Sequence, residues 1–145
     1  MTKANKEVAE RLRMWKDSPT RFVKEAFGVT PEKWQQEAML LIKNNDRVAV
    51  KSGHGVGKSA LESWIIIWWL LTRYPAKIAC TAPTGHQLTD VLWGEIAKWY
   101  RRLPVFLKNL LEVKSDRITL RAAPGESFGV ARTARKEQPE AFQGF

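Results

Sequence analysis

Apolar residues recur at helical spacing through most of this chain and at strand spacing only in short pieces. Val8, Leu12 and Trp15 sit at i, i+4, i+7 and predict an amphipathic first helix. Ser18-Pro19 reads as an N-cap followed by proline at the first helical position, and Gly28 ends this short second helix. Thr30-Pro31 repeats that start. Trp34, Ala38, Leu41 and Ile42 then share one face of a third helix, which stops at Asn44-Asn45. Arg47-Val48-Ala49-Val50 suits a short buried strand. Ala60 to Tyr74 is helix-length and apolar nearly all round, the pattern of a helix buried between a sheet and another helix. Ala76 to Thr81 predicts a second strand. Pro83-Thr84-Gly85-His86-Gln87 opens a long helix whose apolar face is Leu88, Val91, Leu92, Ile96, Trp99 and Leu103. Three short strands follow, over Leu111 to Lys114, Arg117 to Leu120 and Phe128 to Ala131. Ser115-Asp116 and Pro124-Gly125 supply their turns. There is no internal repeat and no low-complexity segment.

Between the first strand and the apolar helix lies Ser52-Gly53-His54-Gly55-Val56-Gly57-Lys58-Ser59. This is the phosphate-binding pattern G-x-x-x-x-G-K-[ST], with Ser52 in place of the first glycine. Glycines at 53, 55 and 57 allow the positive-φ turns that wrap a phosphate, so that successive N–H groups point inward as an anion nest. Lys58 can reach the β and γ phosphates, and Ser59 can ligand a magnesium ion. A helix starting near Lys58 aims its positive end at the same phosphates. Strand, loop and helix in this order are the context the motif requires.

Two further elements stand at informative distances from the loop. Gln35, one helix upstream, offers an amide donor and acceptor that can read an adenine edge; the competing reading is an ordinary helix amide. Thr81-Ala82-Pro83-Thr84-Gly85-His86-Gln87 lies at the carboxyl end of the second strand, where open α/β sheets bind ligands. Its plainer reading is a strand-to-helix turn, because Thr84 and Gln87 have capping-box spacing. His86 reads as an exposed first-turn residue rather than a catalytic base.

Composition narrows the class. The 145 residues allow one domain and carry a net charge of +9. Residues 98–136 hold ten lysines or arginines against three acids. Such an excess suits contact with a nucleic-acid backbone, or equally a solvated surface whose acidic partners lie elsewhere. The single Cys80 excludes an internal disulfide and a cysteine-based metal cluster, and reads as a buried inert thiol. Two histidines are too few for a histidine-rich metal site. The polar N-terminus has no signal-peptide core, and the eight-residue run Trp64 to Leu71 is far short of the ~20 residues that span a bilayer. The expectation is a cytosolic, soluble protein.

Trp34-Gln35, then Lys51 to Ser59, then Thr81-Ala82-Pro83-Thr84 with Gln87, resembles in this order the motor domain of helicase-like P-loop ATPases. It most resembles the large terminase subunit of tailed bacteriophages. The tail Arg132-Thr133-Ala134, with Glu137, Pro139-Glu140-Ala141-Phe142 and Gly144, is similar to the stretch before that family's Walker B strand. The likeness spans roughly residues 20–145, and Ser52 in the loop is common among such terminases.

The resemblance implies an α/β P-loop NTPase fold of the RecA/helicase-like, additional-strand class, with N-terminal helices and an incomplete sheet. It implies a helical segment 1–45 carrying the adenine-binding motif and a partial ATPase core over 46–145. By the same analogy Gln35 contacts adenine, and Ser52, Gly53, His54, Gly55, Val56, Gly57 and Lys58 hold the phosphates of ATP. Lys58 is the catalytic lysine, Ser59 ligands Mg²⁺, and Thr81, Thr84 and Gln87 form a coupling loop. The family packages double-stranded DNA as a homo-oligomeric ring on a portal protein, with a small terminase subunit, in the host cytoplasm. Its full-length members also carry a nuclease. Another helicase-like translocase, such as one of superfamily 2, and a nucleotide- or DNA-binding remnant without turnover are the alternatives.

Hydrolysis by such a motor needs an apolar strand ending in Asp, for magnesium, followed by Glu to orient water. These 145 residues contain no such pair. The expectation is a chain truncated before Walker B that binds nucleotide weakly, does not turn it over, leaves core strands unpaired and tends to aggregate. Its seven tryptophans and the helix 60–74 would then lack cover.

Overall fold

The computed structural model describes residues 2–50 and 57–133. Six helices and four strands form a mixed α/β fold with one open sheet. The helices are α1 (Lys3–Asp17), α2 (Pro19–Phe22), α3 (Lys33–Asn44), α4 (Lys58–Thr72), α5 (Trp93–Arg102) and α6 (Val105–Lys108). The strands are β1 (Lys77–Ala82), β2 (Leu111–Val113), β3 (Arg117–Leu120) and β4 (Phe128–Thr133). Two π-helical segments, Val23–Phe27 and His86–Leu92, extend α2 and lead into α5.

Local chemistry explains most of the boundaries. Thr2 caps α1 by accepting from the Asn5 N–H at 3.1 Å. Ser18 caps α2 in the same way through Arg21, with Pro19 at the first position. Gly28 ends the Val23–Phe27 segment at φ 72°, the left-handed stop expected of it. The third helix starts later than Thr30-Pro31 suggests: its N-cap is Glu32. Its buried face is Gln35, Ala38 and Met39, while Leu41 is 49% exposed. The long helix likewise keeps Leu88, Leu92, Ile96 and Trp99 inside but leaves Val91 exposed.

The strand order is β1-β4-β3-β2. β4 pairs antiparallel with β3, and β3 with β2, across short turns. β1 pairs parallel with β4, Lys77 opposite Phe128 through Ala82 opposite Thr133. Arg47 to Val50 forms no strand. An extended segment becomes a strand only when a neighbour takes up its N–H and C=O groups, and β1 pairs with β4 alone among the described residues. β1 is therefore an edge strand of the open sheet among the described residues.

The core sits around α4. Leu61, Trp64, Ile66, Ile67, Trp68, Leu70 and Leu71 are all buried, and each large side chain contributes about 1.5–3 kcal/mol by burial. The cover expected to be missing is supplied largely by this chain's own α1 and α5. Trp15, Trp64, Trp68, Trp93 and Trp99 are buried, and only Trp34 and Trp69 remain half-exposed.

Five rings run edge to face through this core, with successive centroids 5.3 Å apart: Trp15, Phe22, Phe27, Trp99 and Trp64. They join α1, α2, the first π segment, α5 and α4, each pair contributing about 0.5–1.5 kcal/mol beyond its area. Trp68 Nε1 also donates to the Trp15 carbonyl at 2.6 Å, pinning α4 to the end of α1. Gly129 lets α4 approach β4. A Cβ there would meet Ile118 Cγ2 at 3.1 Å and Ile66 Cγ2 at 3.7 Å.

Candidate functional site

The amino end of α4 is the candidate site. Lys58 and Ser59 occupy its first turn, with Lys58 exposed. Gly57 is the N-cap at φ 100°, a conformation open to glycine and strained for other residues. The first N–H to bond within the helix here is that of Leu61, to the Gly57 carbonyl at 3.0 Å. The preceding first-turn N–H groups have no intrahelical acceptor, so this end is suited to an anion. Ser52, Gly53, His54, Gly55 and Val56 lie outside the described residues.

Gln35 is 22 positions upstream, yet its side chain reaches this point. It is buried at 4% exposure, and its Nε2 donates to the Gly57 carbonyl at 2.9 Å. Its Oε1 accepts the Glu32 N–H at 2.8 Å, half of a capping box on α3. The amide is therefore neither a free surface group nor wholly available to a nucleobase. Among the described residues, one Nε2 hydrogen and one Oε1 lone pair take no other partner. Trp34 stands beside it, its Nε1 donating to Glu32 Oε2 at 2.7 Å.

The Thr81 to Gln87 loop leaves the carboxyl end of β1. Thr81, Thr84 and Gln87 are all exposed. Thr84 Oγ1 accepts the Gln87 N–H at 3.3 Å, so the capping role is present. Thr81 lies opposite Arg132 in the β1–β4 register, and Gly85 faces Thr133 Oγ1. The His86–Leu92 segment packs against α4, β1 and β4. No hydrogen bond or ion pair among the described residues joins Thr81, Thr84 or Gln87 to Gln35 or Lys58. His86 is exposed, as its position suggested, and meets Asp90 one turn on, Nδ1 to Oδ2 at 2.7 Å.

Glu62 belongs to the site although its motif does not include it. It sits one turn after Lys58 on the half-buried side of α4. Burial raises its carboxyl above the ordinary value, and the Lys58 charge offsets part of that. Glu62 also acts on Cys80 of β1. Burial first, and this carboxylate second, push the Cys80 thiol up to about 12. The thiol is half-buried rather than fully enclosed, and stays protonated near neutrality. The i, i+4 spacing from Lys58 is the signal that could have drawn attention to Glu62.

Among the described residues no group of three or more His, Cys, Asp or Glu side chains could hold a metal ion. A magnesium held mainly by nucleotide phosphates, with one protein hydroxyl, needs no such cluster, so the Ser59 position fits that ion. No helix among the described residues is long and apolar enough to cross a membrane. Neither family models nor curated proteins give a match to this chain.

Proposed function

We propose that this chain is the ATP-binding part of a P-loop motor ATPase of the phage terminase large-subunit type. The observation that carries the reading is the hydrogen bond from Gln35 Nε2 to the Gly57 carbonyl. It unites two elements, far apart in sequence, that such a motor places around one nucleotide. Gln35 presents its remaining donor and acceptor toward adenine. Lys58 neutralises the β and γ phosphates, the free N–H groups at the head of α4 cradle them, and the Ser59 hydroxyl ligands Mg²⁺. Bound ATP·Mg²⁺ supplies the phosphoanhydride that drives such motors.

The exposed Thr81 to Gln87 loop, packed next to α4 and β4, is the coupling element in this reading. Double-stranded DNA, a small terminase subunit and a portal are the proposed partners, in keeping with the basic excess over 98–136. These 145 residues lack the Asp-Glu pair that hydrolysis requires, so the expected activity is binding without turnover.

Filter binding of labelled ATP with magnesium tests this, with Lys58→Ala beside the parent chain. Binding is expected to be lost in the variant. Retention of binding by Lys58→Ala would remove the phosphate-loop assignment, and robust magnesium-dependent turnover by the purified chain would remove the claim of incompetence.

A further inference from the structure

A second site lies where the ends of α1 and α4 meet β2 and β3. It is a cleft of ≈ 430 Å³ floored by Leu12, Leu70, Leu71, Leu110 and Leu120. That volume is within the range of specific ligand pockets. Its rim carries three cations, Arg13, Lys16 and Arg73, and no acidic residue lines it.

Arg73 is fixed in place. Its guanidinium stacks 3.7 Å from the Trp69 ring centroid, and Nη1 donates to Thr72 Oγ1 at 3.0 Å. Burial lowers its pKa, a sign that its charge is under-solvated where it stands. Arg13 and Lys16 are exposed and form no ion pair among the described residues. Glu126 approaches the rim through Tyr74, whose hydroxyl donates to its carboxylate. Lys16 is in the last turn of α1 and Arg73 caps α4, so each also complements a helix end. That role does not extend to Arg13, which stands more than a turn short of the end of α1.

We propose that this cleft docks a short acidic segment of a partner protein that inserts one bulky apolar side chain. The floor is apolar, so the inserted group must be as well. The three charged side chains that line the cleft are all cations, and Glu126 stands behind Tyr74 with its carboxylate engaged, so the flanks of the segment are acidic. From Ala9 to Lys16 the cleft follows about 10 Å of α1, the reach of about three extended residues. A segment of that length places carboxylates against both Arg13 and Lys16 while its apolar side chain fills the floor.

Calorimetric titration of the full chain with the hexapeptide Asp-Glu-Leu-Phe-Glu-Asp tests the proposal. Saturable one-to-one binding that weakens with added salt is expected. The R13E/K16E double variant should bind about ten-fold more weakly, as two exposed ion pairs become repulsions. Both side chains are exposed, so the variant should keep the parent's circular dichroism, with only the small fall in melting temperature that an acid in place of Lys16 at the end of α1 brings. A second variant, Leu12→Ala, removes part of the apolar floor without changing the rim's charge and should also weaken binding. Equal binding of Lys-Lys-Leu-Phe-Lys-Lys, or undiminished binding by the double variant, would overturn the proposal. Binding of dodecanoate but not of the acidic peptide would overturn it too, in favour of a small amphipathic anion.

Discussion

Gly57 and Gln35 are joined so closely that neither position tolerates change without the other. The Gly57 carbonyl accepts both the Leu61 N–H and Gln35 Nε2. A Cβ on Gly57 would fall 2.8 Å from that same Nε2 and 3.3 Å from Trp34 Cζ2. Gly57→Ala therefore adds a steric clash to the cost of a positive φ. It should destabilise by about 2–4 kcal/mol in urea unfolding and abolish ATP binding. Gly28→Ala is the control. It also has a positive φ, but nothing lies within 4 Å of its Cβ position. It should cost only about 1 kcal/mol and leave nucleotide binding intact. Equal losses in the two variants would show that the Gln35 contact contributes nothing.

The tryptophan indoles separate into bonded and unbonded cases. Trp68 Nε1 donates to the Trp15 carbonyl, whereas Trp93 Nε1 is buried without a partner among the described residues. Replacing either by Phe removes similar ring volume. Trp68→Phe also loses a hydrogen bond, while Trp93→Phe discards an unsatisfied donor. Denaturation midpoints should place Trp68→Phe about 1–3 kcal/mol below Trp93→Phe. The reverse order would mean that packing, not the indole hydrogen bond, decides.

Glu62 gives the stability a pH dependence with a definite sign. Its folded carboxyl lies above the ordinary value of 4.5, because burial disfavours the charge and Lys58 only partly compensates. The folded state thus holds this proton more tightly than the unfolded state. The resulting stability is complete at acid pH and is lost as pH rises through the raised value. Glu62→Gln should match the parent at about pH 4 and exceed it at about pH 8, as urea midpoints at the two values would show. A variant less stable than the parent at the higher pH would refute the assignment.

Legibility in the sequence followed the range of the interaction. The Val8, Leu12, Trp15 stripe, the stop at Gly28 and the strand Arg117–Leu120 are local patterns, and each appears where its spacing put it. Arg47 to Val50 misled because an apolar run carries no information about whether a neighbouring strand exists to pair with it. Leu41 misled by phase, since Met39 takes the inward position on α3. In the candidate site, the motif named Gly57, Lys58 and Ser59, and Gln35 stood out only through its distance from them. That its amide would spend half its capacity on Glu32 and Gly57 is a tertiary fact. So are the coupling of Glu62 to Cys80 and the pin from Trp68 to Trp15, which join residues on different elements.

The parallel pairing of β1 with β4 sets an order on how the molecule assembles. β2, β3 and β4 follow one another across short turns and can zip as a local meander with little chain entropy at stake. β1 must wait until residues 83–127 have folded back, because a parallel partner can be reached only by a long crossover. The strand that leads into the Thr81 to Gln87 loop is thus expected to join the sheet after the meander has formed. During synthesis β1 finds its partner only after Phe128–Thr133 have emerged.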